Sequence, residues 1–271
     1  TKILIGSSDG CLATLGAGVW SDDKAVISIE DSGAVRVVGK EVLQDERRRF
    51  FNYILTEGCY VSGGPTNNGG IIFEWYAKQF GDFSKPFDLE FSMENLINEA
   101  SKIEPGSDGL IFLPYLLGER APIWNANARG VYFGINIKHE KQHFIRATIE
   151  GILYEIYSIG KILEEHRSIK NLSVHGSFAS MPFCTQMIAD IFNKPLTLRK
   201  NSDSIAYGAF LLSATEMGIY KNLDQAVQTV KLPDLYYPKK QNHSTYMKYF
   251  KIFERLSIRL SEEFEDIANL Q

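Results

Sequence analysis

Asp9 stands in the polar run Ser7-Ser8-Asp9-Gly10, directly after the apolar Ile3-Leu4-Ile5. A carboxylate in that setting can accept a proton from a substrate hydroxyl, hold Mg²⁺, or cap the helix that Cys11-Leu12-Ala13-Thr14-Leu15 begins, and composition by itself favours the cap. Two glycine-containing stretches, Gly63 to Gly70 and Gly176-Ser177, lead toward helices. Backbone N–H groups and the positive end of a helix dipole suit phosphate there, while the plain reading is a tight turn that needs glycine. Neither stretch matches GxxxxGK[ST], and no GxGxxG occurs, so both common nucleotide fingerprints are absent.

Other chemistry-bearing residues read as structural. Cys11, Cys59 and Cys184 are far apart and never form a CxxC pair, which argues against a disulfide framework or a zinc site and fits a reducing cytoplasm. His139 and His143 flank a helix start and read as a solvent-facing pair, and no HExxH occurs, so no residue is assigned to a metal. Arg146 and Glu150, one turn apart, read as a helix ion pair, and Arg47-Arg48-Arg49 as a solvated turn after Asp45-Glu46. A net charge of -4 argues against a nucleic-acid surface. No apolar run is long enough to span a bilayer, and no charged leader or cleavage signal opens the chain, so neither a membrane nor secretion is expected. The chain lacks an initiator Met and starts within an apparent strand or loop, as a piece of something longer would.

The elements that must position these residues follow from periodicity. Residues 25–29, 34–38, 53–55 and 59–61 are short apolar runs separated by turn residues, a strand meander. Gly63 to Gly70 reads as a loop that releases into a helix at Ile71. A helix over 92–102, a buried strand over 110–113 and an extended surface loop over 118–130 come next. Ile145, Ile149, Ile152, Leu153, Ile156 and Leu163 fall on one face of a long helix, interrupted at Gly151 and Gly160. Strands at 172–174 and 196–198 alternate with helices opened by Pro182 and by Ala206. Tyr249, Phe253, Leu256, Leu260, Phe264 and Ile267 form the face of one docked terminal helix. Alternating strand and helix after an early meander implies an α/β domain with a mixed sheet flanked by helices. With 271 residues and 44% hydrophobic content, one domain is the economical reading, with a core over about 3–220 and a helical tail over about 244–270.

Read together and in order, several pieces carry a resemblance. They are Ser7-Ser8-Asp9-Gly10, Ser32-Gly33-Ala34-Val35-Arg36, Gly63-Gly64-Pro65 with Asn67-Asn68-Gly69-Gly70, Pro114-Tyr115-Leu116 with Gly118-Glu119-Arg120-Ala121-Pro122, Arg146-Ala147 with Glu150-Gly151, and Gln186-Met187 with Ala189-Asp190. This pattern resembles the carboxy-terminal domain of the FGGY carbohydrate kinase family, nearest to its gluconate kinases. The resemblance implies a ribonuclease H-like, actin-like ATPase domain that packs against an amino-terminal sugar-binding domain, not contained in this chain, with the active site between them. It further implies ATP and Mg²⁺ as cofactors, a sugar, sugar acid or polyol as substrate, and Asp9 as the general base. By the same resemblance Asp31 and Ser32 face the phosphates, Gly69, Gly70 and Glu74 lie near the nucleotide, and Gly176, Ser177 and Met181 border adenine and ribose. The strip from Gly118 to Trp124 either lines the cleft or supports the fold.

Two loops depart from the family pattern. The family's phosphate loop reads Gly-Thr-Ser-Gly where this chain has Glu30-Asp31-Ser32-Gly33, and its second loop carries two glycines where this chain has Gly176-Ser177. A carboxylate beside a triphosphate is unfavourable unless metal bridges the two. The expectation is therefore an ATP-dependent sugar kinase half, inactive alone and apolar enough on its domain-facing surface to self-associate as a homodimer. The alternative is a non-catalytic, kinase-derived nucleotide- or sugar-binding module.

Overall fold

In the computed structural model, residues 3–80, 89–199, 203–230 and 234–271 are described. Helix α1 (Asp9–Gly16) starts at an N-cap filled by Ser8, whose hydroxyl accepts from the Cys11 N–H at 3.3 Å. Strands β1 (Lys24–Ile29), β2 (Gly33–Gly39), β3 (Phe51–Thr56) and β4 (Cys59–Thr66) follow. After them come α2 (Gly70–Phe80), α3 (Leu89–Ala100), β5 (Ile111–Leu113), β6 (Val131–Phe133), α4 (Lys141–His166), β7 (Asn171–His175), α5 (Pro182–Phe192), β8 (Leu196–Leu198) and α6 (Ser204–Glu216). The chain closes with α7 (Leu223–Val227), β9 (Asp234–Tyr236), α8 (Lys240–Arg259) and α9 (Ser261–Asn269).

The main sheet runs β3-β4-β2-β1-β7-β8-β9, and β5 pairs with β6 apart from it. β1 pairs with β7, and β7 with β8, in parallel, while the remaining neighbours are antiparallel. The sheet is therefore mixed, as the early meander and later alternation imply. Strand pleating sends successive side chains to opposite faces. Ala25, Ile27 and Ile29 join the larger core, with α4, while Val26 joins a smaller one with Leu12 and Leu15 of α1 and Leu211 of α6. On that second face Ser28 of β1 and His175 of β7 are register partners at the ends of their strands.

Helix α4 runs without interruption through Gly151 and Gly160, because those glycines sit where Phe112 and Phe192 press against the helix and any Cβ would collide. The Gly63–Thr66 stretch is strand, not loop. The Val35 carbonyl and the Arg36 side chain lie against Gly63, and Ala121 and Ile159 against Gly64, so the glycines admit close neighbours rather than a turn. The 118–130 loop is partly internal: Ala121 and Ala128 are fully buried and Glu119 is 3% exposed, while Trp124 stays at the surface.

The terminal apolar face is split between α8 and α9 at Leu260. It docks as expected, burying Tyr246, Phe250, Phe253 and Phe264. Each such side chain is worth roughly 1.5–3 kcal/mol of transfer free energy. Arg146 and Glu150 do pair, at 2.8 Å, but inside the molecule, where Arg146 also donates to Tyr246 and Glu150 accepts from Gly106 N and Ser107 Oγ. The basic turn is solvated at Arg47 and Arg48, whereas Arg49 is held by Asp45 and Glu165 at 2.5 and 2.6 Å. No helix among the described residues is long and apolar enough to cross a membrane.

Candidate active site

Parallel strands tend to bind ligands in the crevice beyond their carboxyl ends. Here a cleft of about 690 Å³ opens there, on the α1 and α6 side of the sheet. Asp9, the first residue of α1, contributes an exposed carboxylate whose Oδ1 accepts from the Gly10 N–H at 2.6 Å. Because Ser8 fills the helix cap, the carboxylate of Asp9 is left facing the cleft.

Arg36 crosses from β2 toward the same place. Its Nη1 donates to Ser28 Oγ at 3.1 Å, and a Cβ on Gly10 would stand 2.8 Å from its Nε, so only glycine at position 10 lets the guanidinium lie against α1. Burial lowers the Arg36 pKa, opposed by the charge of Asp9. His175, at the end of β7, is 9% exposed, and its Nε2 has no hydrogen-bond partner among the described residues. Burial, with the positive charges of Arg36 and Arg199 and against that of Glu30, lowers its pKa to about 4.

Directly after it Gly176 has φ 112°, a conformation available to glycine and strained for other residues, and this turns the chain out over the cleft. Ser177 is then met by Glu30, whose Oε2 accepts from the Ser177 N–H at 3.0 Å and from Ser177 Oγ at 2.9 Å. The two departures from the family pattern are thus bonded to each other. Phe178 anchors the loop from below, fully buried and edge-on to Phe73 at 5.6 Å.

Of the residues singled out in the sequence, Asp9, Ser32, Gly176 and Ser177 line this cleft together, and Asp31, Gly69, Gly70, Glu74 and Met181 do not. The Gly69, Gly70 and Ile71 N–H groups donate to the carbonyls of Asp31, Glu30 and Asp31, so the start of α2 braces the 30–32 turn from behind. Glu74 pairs with Lys78 at 3.6 Å, and Met181 packs on the larger core at the start of α5.

Sequence reasoning did not single out Arg36, His175 or Ser204 as site residues. For Arg36 a signal existed: a lone arginine inside the apolar run of a central strand must reach a polar partner. Ser204, at the start of α6, lines the cleft with a buried hydroxyl that also has no partner among the described residues.

As for a metal, the cleft offers the carboxylates of Asp9, Glu30 and Asp203, of which Asp203 caps α6 by accepting from Ala206 N. Among the described residues, the cluster with metal-ligand spacing is Asp45, Glu165 and His166, outside the cleft, where Arg49 already pairs with both carboxylates.

Comparison with known proteins agrees with this architecture. Residues 25–217 match the model of the FGGY family of carbohydrate kinases, C-terminal domain. A gluconokinase of Bacillus licheniformis is 34% identical over all of this chain and 54% of its own length, and a xylulose kinase of Staphylococcus epidermidis is 32% identical over 99% of this chain and 53% of its own. The crystal structure of a gluconate kinase from Lactobacillus acidophilus superposes with a TM-score of 0.91 at 32% identity, over 98% of this chain and 53% of that one. The chain therefore spans about half the length of the relatives it matches. The mixed sheet flanked by helices is that of the actin-like ATPases. With the family match over most of the chain and relatives aligned along its whole length, the chain belongs to the FGGY family of carbohydrate kinases and carries the C-terminal domain of that family.

Proposed function

We propose that this chain is the ATP-facing part of a sugar kinase that phosphorylates a hydroxyl of gluconate or a related sugar acid or polyol, with Asp9 as the general base. The observation that carries the reading is the Asp9 carboxylate, released from helix capping by Ser8 and turned toward the cleft beyond β1 and β7. Asp9 takes the proton of the attacking hydroxyl as its oxygen bonds to the γ-phosphorus of MgATP. The bond from that phosphorus to the β–γ bridging oxygen breaks, and ADP leaves. The 30–32 turn and the Gly176-Ser177 loop border the triphosphate, the start of α2 supports the first of them, and Met181 supports the second. The names of the gluconokinase and xylulose kinase relatives support the substrate class. A second domain supplies most of the sugar contacts and the closure that excludes water, so this domain alone turns over slowly.

One observation favours a second reading, a kinase-derived module that binds without catalysis. The Glu30 carboxylate occupies the Ser177 N–H and hydroxyl at the mouth of the loop, so a phosphate must displace a negative charge to reach those donors. Calorimetric titration of MgATP into the native chain and into a Glu30→Gly, Ser177→Gly variant separates the two. Measurable binding by the native chain shows that Glu30 does not block the loop and removes the ground for the second reading. Binding that appears only in the variant supports the non-catalytic module.

A further inference from the structure

Buried polar atoms in folded proteins are nearly always hydrogen-bonded, because an unmet donor or acceptor keeps the cost of leaving water without the return. The cleft holds two exceptions among the described residues, His175 Nε2 and Ser204 Oγ. They come from different elements, the end of β7 and the start of α6, yet line the same opening. Arg36 flanks it from β2. Such an arrangement is stable only at a cost that a bound partner removes.

We infer that His175, through Nε2, is a direct contact for an oxygen of the transferring polyphosphate, an assignment that rests on the kinase reading above. His175 is 9% exposed and ends a central strand paired with β1, which fixes its backbone at the cleft. With its proton on Nε2, the ring donates to a phosphate oxygen without bringing a charge of its own, and the charge is supplied by Arg36 alongside. The charged and titratable groups lining the cleft around it are Arg36 on β2, Glu30 before the β2 turn, Asp9 on α1, Arg199 after β8 and Asp203 before α6. Burial and the neighbouring arginines favour the neutral ring. A polyphosphate arriving at Nε2 adds negative charge and must draw the ring's titration upward.

The probe is sodium tripolyphosphate, without Mg²⁺, nucleotide or sugar. Side-chain NMR of the five histidines follows the titration, with His175 assigned by its disappearance in His175→Phe. The apparent pKa of His175 should rise by about a unit or more on saturation, and the dissociation constant should weaken about tenfold in His175→Phe, the usual scale for losing a hydrogen bond to a charged group. The same variant should melt at a higher temperature than the native chain without anion, since it removes an unpaired buried nitrogen. A merely structural histidine would show the opposite stability change and no anion dependence.

Tripolyphosphate that binds yet leaves the native His175 resonances unmoved overturns the inference, as does failure to bind at millimolar concentration. Neither outcome depends on whether the phenylalanine variant folds. MgATP binding with an unresponsive His175 sinks this contact and leaves the kinase reading standing. A responsive His175 without MgATP binding does the reverse.

Discussion

Glu30 and Glu119 are both carboxylates that tie one loop to another, and they differ in how completely they are met. Glu119, 3% exposed, accepts from Thr66 Oγ1 at 2.6 Å, Asn68 Nδ2 at 2.8 Å, Asn67 N at 3.1 Å and Arg120 N at 2.6 Å. Burial pushes its pKa up, against the pull of the Thr66 and Asn68 donors. Glu30 is exposed and takes both of its side-chain bonds from Ser177. A buried carboxylate surrounded by donors is a permanent fastening, since removing it orphans every partner at once. An exposed one with a single partner residue is exchangeable, because water or another anion can replace it at little cost. The loop behind the sheet is thus locked, and the mouth of the cleft is poised for substitution.

If that contrast holds, changes to the exposed carboxylates of the cleft should alter function with little effect on stability, and changes to the buried one behind it the reverse. The largest effect is expected at Asp9. In a full-length kinase containing this chain, Asp9→Asn should cut kcat by a factor of about 10² to 10⁴ in a coupled ADP-release assay. Its urea midpoint should stay at the native value, because Ser8 rather than Asp9 caps α1. A matching fall in stability would break the comparison. Glu119→Ala should lower the unfolding free energy by about 4 kcal/mol, read from urea denaturation.

The third effect is a pH slope. The unfolded chain binds a proton at His175 near pH 6.5, and the folded chain not until about pH 4. Between those values the unfolded state holds more protons, so stability rises with pH, and acidification across the window costs up to about 3 kcal/mol. His175→Phe should flatten that slope in urea midpoints measured at pH 5 and pH 7. The smallest effect is expected from Glu30→Gly, with a stability change below about 0.5 kcal/mol. That variant should nevertheless bind MgATP about tenfold more tightly, from relief of like-charge repulsion.

Much of the scaffold was legible along the chain. The β-branched runs at 25–29 and 34–38 and the long apolar face from Ile145 to Leu163 report elements whose period is local, so neighbouring residues suffice to identify them. β6, β9 and α7 were not anticipated, because three to five residues carry no readable period. The terminal helix was read as one because its apolar spacing continues across Leu260, where the backbone breaks. In the cleft, Asp9 and the Gly176 turn stood out because a polar turn after an apolar run is itself a local signal.

By its own pattern, then, the sequence determined an α/β chain with a mixed sheet, a carboxylate at the start of the first helix and two departures in its loops. It could not say that those departures meet, since Glu30 and Ser177 lie 147 positions apart and their bond exists only because β1 and β7 pair in parallel and end side by side. Nor could it say that the start of α2 would spend its N–H groups on the 30–31 carbonyls rather than on a ligand. Arg36, His175 and Ser204 converge for the same reason. Which face a strand residue occupies, and what stands opposite it, are set by register between distant segments, and register is decided only when the whole sheet assembles.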